Sequence, residues 1–291
     1  MGRKELFNTN KTYILKQFKK KPFYFSNVDI SRIKDELKKK SLIPENMSYD
    51  RFFNRLIDEG LNTFTLSIQG SYKTRYSFKK NLDHDLFASI LSGKKTFLSM
   101  TTALRFQGFT DYRNDVIFIS REQSDKGYYD HENVLKQAAV DKAFRQGTPR
   151  YSNSIGELDG KSYVFLSPKY SDCYEVITMK NGVKVSSINR SFVEMIINIH
   201  YFKTYATIIN IFRPLKEKLD VKKIYTFIKI LNYIYPYFQC AGFYLEQIGF
   251  KKDELIEFKN NVSDLNFYTQ KSKLEIVGED YLFNEYWKMY Y

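Results

Sequence analysis

The sequence predicts an α+β protein in two parts, and three observations predict it. Basic charge is concentrated in the first eighty residues, which hold 18 Lys/Arg against 8 Asp/Glu, while the other 211 hold 28 against 25. Near Gly60 the hydrophobic period changes from helical to alternating. Beyond residue 80, short alternating runs come first and helical runs follow, the pattern of a mixed domain mostly helical at its C-terminal end. The expected parts are residues 1–80 and 81–291.

In the first part, Tyr13, Ile14 and Phe18 share one side of residues 10–21. Lys11, Lys16, Lys19, Lys20 and Lys21 lie largely on the other, and Pro22 ends this helix. FYFSNVD is a short extended piece, with Ser26 or Asn27 as the next cap. Ile30, Ile33, Leu37 and Leu42 carry a second helix as far as Pro44. A third, from about 47 to 59, has an apolar stripe of Tyr49, Phe52, Phe53, Leu56 and Ile57, with Ser48 as N-cap and Gly60 as stop. After it, Phe64, Leu66 and Ile68 alternate on one arm, and Tyr72, Thr74, Tyr76 and Phe78 on another, around a Gly70-Ser71 turn.

Three helices and a hairpin in a basic segment is the order of a winged helix-turn-helix, whose third helix enters the major groove of DNA. The polar face of that helix carries Ser48, Arg51, Asn54 and Arg55. Arginine forks match guanine edges and asparagine amides match adenine edges. Lys73 and Arg75 on the hairpin are the expected phosphate contacts, which hold the duplex without reading it. Double-stranded DNA is therefore the expected partner. The bland readings are a solvated helix face and a winged helix used for protein contacts. An acidic protein or anionic lipid would satisfy the same charge.

In the second part, 82–106 reads as two helical pieces split by SGKKTF. Val116 to Ile119 reads as a buried strand, and 134–146 as strand or helix. Strands are expected at 161–168, 174–179 and 183–188, the last two joined across Lys180-Asn181-Gly182. Helices follow at 190–201, 203–213, 221–233, 236–249 and 252–260, and LFNEYWKMYY closes the chain as a short aromatic strand or tail. The 25 Phe and 24 Tyr accompany much Lys, Asn and Ile, so the aromatic stripes are discounted as base-stacking platforms. Cys173 and Cys240 form no CxxC and read as small core residues in a reducing compartment. No apolar run is long enough to span a bilayer, and the start has neither a signal-peptide core nor a myristoylation motif. A cytoplasmic protein without membrane contact is expected.

Several segments, in order, resemble one family. FLSMTTALRFQGFTDYRNDVIFIS is similar to the signature of AbiEi-family antitoxins, a Ser/Thr-Ala-Leu helix ending in a His/Gln-Gly-Leu/Phe-Thr turn before a short strand. AFRQGTPRYSN and DGKSYVFLSPK fit its next loop and strand, VKVSSINRSFVEMI its strand-to-helix step, and YPYFQCAGFYLEQIGF its C-terminal helix. With the N-terminal segment, the resemblance covers nearly the whole chain. It singles out Ala103, Leu104, Gly108, Arg190, Gly242, Leu245 and Glu246. Asn189 stands where the family usually has Glu, and Glu194 near its Asp. For Arg190 the plain expectation is a paired, half-buried side chain. The resemblance implies the antitoxin of a two-gene phage-defence system. Its winged helix would repress its own promoter, and its second domain would counter an AbiEii-like nucleotidyltransferase toxin without a stable complex.

No HExxH, Walker loop or GxGxxG occurs. His84 and His131 sit among acidic residues, more like helix caps than ligands. Asp159, Glu175 and Lys180 have the wrong spacing for a nuclease set, and Ser187 and Cys173 lack a nearby base. Lys216, Lys218, Lys222 and Lys223 make a basic cluster that could face the toxin, although such runs are usually solvated. The sequence thus predicts a non-enzymatic, DNA-binding antitoxin with no catalytic residue, cofactor or metal. One rival is a DNA-binding defence regulator without a toxin, its second domain sensing a ligand or phage protein. The other is a nucleic-acid-processing enzyme.

Overall fold

The structure, a computed structural model, describes residues 5–19, 23–91, 95–113, 115–127, 135–146, 151–202, 204–269 and 282–291. His131, Lys20, Lys21 and Pro22 lie outside them. The chain opens with helices α1 (Glu5–Thr9), α2 (Lys11–Phe18), α3 (Asn27–Lys39) and α4 (Tyr49–Asp58), then strands β1 (Asn62–Ile68) and β2 (Ser71–Ser77). Helix α1 was not expected, being too short to show a period. Ser26 is the cap of α3. Its hydroxyl accepts from the Asp29 N–H at 3.2 Å, while Asp29 accepts from the Ser26 N–H at 2.9 Å, a reciprocal box.

The second helix stops at Lys39, not Pro44. Ser41 turns to a φ of 51°, and the Leu42 N–H bonds back to the Leu37 carbonyl at 3.0 Å, closing the last turn. Leu42 leaves the helix but still packs on the same core. In the hairpin, Ile68 pairs with Ser71, so the loop residues are Gln69 and Gly70 and the turn sits one residue earlier than expected. That register keeps Leu66 and Ile68 on the buried face.

The rest alternates helices and short strands. They are α5 (His84–Ser89), β3 (Thr96–Leu98), α6 (Met100–Phe106), β4 (Val116–Arg121), α7 (Gln137–Asp141), β5 (Ile155–Leu158), β6 (Lys161–Leu166), β7 (Val176–Thr178) and β8 (Lys184–Ser186). Helices α8 (Ile188–Ile197), α9 (Tyr205–Phe212), α10 (Val221–Leu231), α11 (Tyr237–Ile248) and α12 (Ile256–Lys259) follow as expected. Strands β9 (Phe267–Tyr268), β10 (Phe283–Asn284) and β11 (Met289–Tyr290) make a small separate sheet. The main sheet has eight strands in the order β2-β1-β5-β6-β4-β3-β8-β7. It is mixed, with β4/β6 and β3/β8 parallel and the other pairs antiparallel. Neither β3 nor β5 was expected. All three residues of β3 are buried, so no alternation marks it.

Helices α1 to α4 have their own core, including Phe7, Ile14, Phe18, Ile30, Leu37, Phe52 and Leu56. The opposite face of the hairpin belongs to the second part. Leu66 and Ile68, with Tyr24, share a cluster with Phe87, Leu98, Ile117 and Tyr163. Backbone pairing crosses the same divide: Ser67 and Ile68 pair with Glu157 and Gly156. A Cβ on Gly156 would lie 2.7 Å from the Ser67 carbonyl oxygen, so the two strands meet only because that side chain is missing. The main sheet thus takes strands from both sides of residue 80. The C-terminal helices enclose the largest core, with Trp287 fully buried in it.

Candidate nucleic-acid interface

Helix α4 is oriented by its aromatic side. Phe52 and Leu56 are fully buried, and Phe52 packs on Phe7 and Phe18 at ring distances of 6.1 and 6.4 Å. Tyr49 stacks on Phe53, which meets Tyr76 of β2 edge-on at 4.9 Å. The Tyr49 hydroxyl donates to Asn27 of α3 at 2.9 Å. Ser48 caps the helix, accepting the Arg51 N–H at 3.3 Å. Ile57, assigned to the apolar stripe, is 40% exposed instead.

This packing turns Arg51, Asn54 and Arg55 outward. Their side chains form no hydrogen bond or ion pair among the described residues. With Asp58, Asn46 and Met47 they rim a concavity of about 370 Å³ whose floor includes Phe7 and Pro44. A face of two unpaired guanidinium groups and an amide can donate and accept along a groove, while its acid, Asp58, discourages contact with phosphate nearby.

The hairpin residues are placed differently. Lys73 stands opposite Leu66, and Arg75 opposite Phe64, so both start from the sheet face that packs on the second part. The Arg75 guanidinium donates to the carbonyls of Thr74 at 2.8 Å and Ile90 at 2.9 Å, holding the end of α5. Burial lowers its pKa. Lys73 is half-buried and has no partner among the described residues. The structure therefore joins Ser48, Arg51, Asn54 and Arg55 on one surface and gives Arg75 a structural engagement invisible in sequence. The hairpin face shared with α4 carries Tyr72, Thr74 and Tyr76, of which Tyr72 is 76% exposed.

The other singled-out residues are internal. Arg190 is fully buried rather than half-buried. It donates to Glu194 at 2.7 Å and to the Tyr174 carbonyl at 2.7 Å, and pairs with Glu122 at 3.0 Å. The rings of Phe97 and Phe227 lie 4.6 and 4.8 Å from its guanidinium carbon. Asn189 donates to Glu175 and accepts the Asp220 N–H at 2.8 Å, tying α8 to the start of α10. Ala103 and Leu104 are fully buried on α6, and Gly108 closes that helix at a φ of 73°. On α11, Gly242 receives the ring of Trp287, whose indole N–H donates to Glu246 at 2.5 Å, and Leu245 is fully buried.

Other sequence candidates separate. Asp159 follows β5, while Glu175 and Lys180 lie at β7, the far edge of the sheet. Glu175 is engaged by Ser187, Asn189 and Lys223. In the lysine cluster, Lys223 pairs with Glu175 at 2.9 Å, Lys216 lies over Phe250 and Lys218 over Phe109. Asp83 caps α5, as expected of that acidic group. What sequence reasoning missed is the partner of His84, whose Nδ1 is 2.7 Å from the buried Tyr163 hydroxyl. No described helix is long and apolar enough to cross a membrane.

These elements define a mixed α/β protein with an eight-stranded mixed sheet. The fold is similar to that in the crystal structure of the RV2827C protein from Mycobacterium tuberculosis. The TM-score is 0.58 over 97% of this chain and 90% of that one, at 9% identity. At that identity the likeness is one of fold alone. No family model and no curated protein matches the sequence.

Proposed function

We propose that the protein is a DNA-binding antitoxin whose first eighty residues form a winged helix-turn-helix. In this reading they bind promoter DNA and repress their own operon, and the remainder counters a nucleotidyltransferase toxin in the cytoplasm. The observation that carries DNA binding is the unpaired Arg51, Asn54 and Arg55 face of α4, held outward by Ser48 and the aromatic packing behind it. The N-terminal excess of Lys and Arg supports it, since it attracts polyanions at long range. The toxin half of the reading rests on the sequence resemblance to AbiEi antitoxins, the toxin being of AbiEii type.

A gel-shift titration on the DNA upstream of the gene, at two salt concentrations and beside random duplex, tests it. Arg51→Ala and Arg55→Ala should each cost about 1–3 kcal/mol on the operator and little on random DNA. Equal loss on both would remove α4 as the reading element. Lys73→Ala should weaken binding to both duplexes. A second reading keeps the DNA-binding face but replaces toxin control by ligand sensing. An open cleft in the second part, between the ends of β4, β6 and α10, favours it. Co-expression with a neighbouring nucleotidyltransferase gene separates the two: rescue of growth supports the antitoxin, and no toxicity to rescue supports the sensor.

A further inference from the structure

The second part contains a cleft of about 860 Å³, walled by residues 123–127 after β4, 169–172 after β6, and 229, 230 and 232–234 at the end of α10. That volume is in the range of small-molecule sites. Its apolar surface includes Ile230 and Ile234, which are 40% and 38% exposed, with the half-buried rings of Tyr170 and Tyr233. Two isoleucines and two phenols facing one concavity offer dispersion contact to a flat or aliphatic body.

Five charged side chains line it, and three are engaged. Asp125 accepts the Gly127 N–H at 2.9 Å. Asp172 accepts the Tyr170 hydroxyl at 3.2 Å. Lys169 donates to the Asn232 carbonyl at 3.2 Å. Lys126 and Lys229 are exposed and have no partner among the described residues. Three lysines against two aspartates leave the described lining of the cleft with a net positive charge, and its two unengaged charges are both lysines.

One wall is rigid. Glu122 accepts the backbone N–H groups of Ser171 and Cys173 at 3.1 and 3.0 Å, and Arg190 holds the Tyr174 carbonyl. Asp172 and Cys173 are kept at φ values of 51° and 54° by this clamp. A wall fixed before binding lowers the ordering cost of a ligand.

From this geometry we infer that the cleft binds a small amphipathic anion, its apolar or aromatic body against Ile230, Ile234 and the tyrosines and its negative group at Lys126 and Lys229. A nucleotide and a long-chain carboxylate share that chemistry. The site is separate from the α4 face, so its failure would leave the DNA reading untouched.

The test is a fluorescence titration of the full chain with 8-anilinonaphthalene-1-sulfonate, an aromatic body with one sulfonate. Saturable one-site binding is expected, weakened at least tenfold in Ile230→Asp and in the double variant Lys126→Glu/Lys229→Glu. These side chains are exposed, so the circular dichroism and melting temperature of both variants should match the parent. Competition then distinguishes sources: displacement by GTP points to a nucleotide, and displacement by dodecanoate to a lipid-type carboxylate. Absence of saturable binding, binding unchanged in both variants, or displacement by neither competitor would overturn the assignment.

Discussion

A Cβ on Gly242 would lie 2.2 Å from the six-membered ring of Trp287, so the helix α11 and the C-terminal hairpin touch through a missing side chain. Trp287 is the only tryptophan and is fully buried, which makes its fluorescence a local reporter of this contact. Gly242→Ala should destabilise the chain by about 1–3 kcal/mol through overpacking and shift the emission to the red. Trp287→Ala should cost about 3–5 kcal/mol through the cavity it leaves. Urea unfolding followed by circular dichroism measures both. A stable Gly242→Ala variant with parent emission would refute the contact.

The continuity of the sheet makes a claim about fragments. A chain cut after residue 80 loses Phe87, which packs on Tyr24 and Phe64 at 5.7 and 6.4 Å, and the Ile90 carbonyl that Arg75 holds. A fragment ending at residue 91 keeps both. The longer fragment should melt at a higher temperature and protect the β1 and β2 amides better in hydrogen exchange. Equal protection in the two would mean that α5 contributes nothing to the hairpin.

Arg190 lies between two buried carboxylates. Arg190→Met should cost about 3–5 kcal/mol at neutral pH, because Glu122 and Glu194 would remain buried without their cation. Burial pushes the Glu122 carboxyl upward, but the Ser171 hydroxyl, the Cys173 and Ser171 N–H groups and Arg190 together hold it below its ordinary 4.5. A carboxyl depressed by folding stabilises above its unfolded pKa and loses that contribution as pH falls through its folded value. The deficit of the variant should therefore be largest at neutral pH and shrink as pH falls and the carboxyls take up protons, read by urea unfolding at several pH values. A deficit that does not change with pH would count against this role.

His84 titrates in the opposite setting. Burial, with a smaller push from Lys161, lowers its pKa below 6.5 against the pull of Asp159, Asp85 and Asp83. The unfolded chain then binds the proton first, so stability rises with pH through the window below 6.5 and levels above it. Melting temperatures of the parent should show that slope, and His84→Gln should flatten it. An unchanged slope in the variant would assign it to another group.

Legibility followed length and locality. Helices α3, α4 and α8 to α11 were readable because each repeats an apolar stripe over two turns or more. A cap at Ser26 or Asn27 was readable from residue type, while the choice of Ser26 and its reciprocal bond with Asp29 came from the structure. Strands β3 and β5 were not, since three or four residues show no period. In the candidate interface, Ser48, Arg51, Asn54 and Arg55 were legible as one helix face. The engagement of Arg75 was not, because its acceptor at Ile90 is fifteen residues away on another element.

By itself the sequence determined most of the longer local elements and the charge: where the longer helices lie, where α4 is capped, which of its faces is polar, and that the basic excess lies in the first eighty residues. Such properties depend on neighbours within a turn or two of the same chain. Only the tertiary structure decided that the hairpin joins the eight-stranded sheet, that Arg190 is sealed between Glu122 and Glu194, and that Gly242 is the seat of Trp287. Each is a contact between segments distant in sequence, set by which surfaces can be buried together, and no periodicity within one segment records its partner.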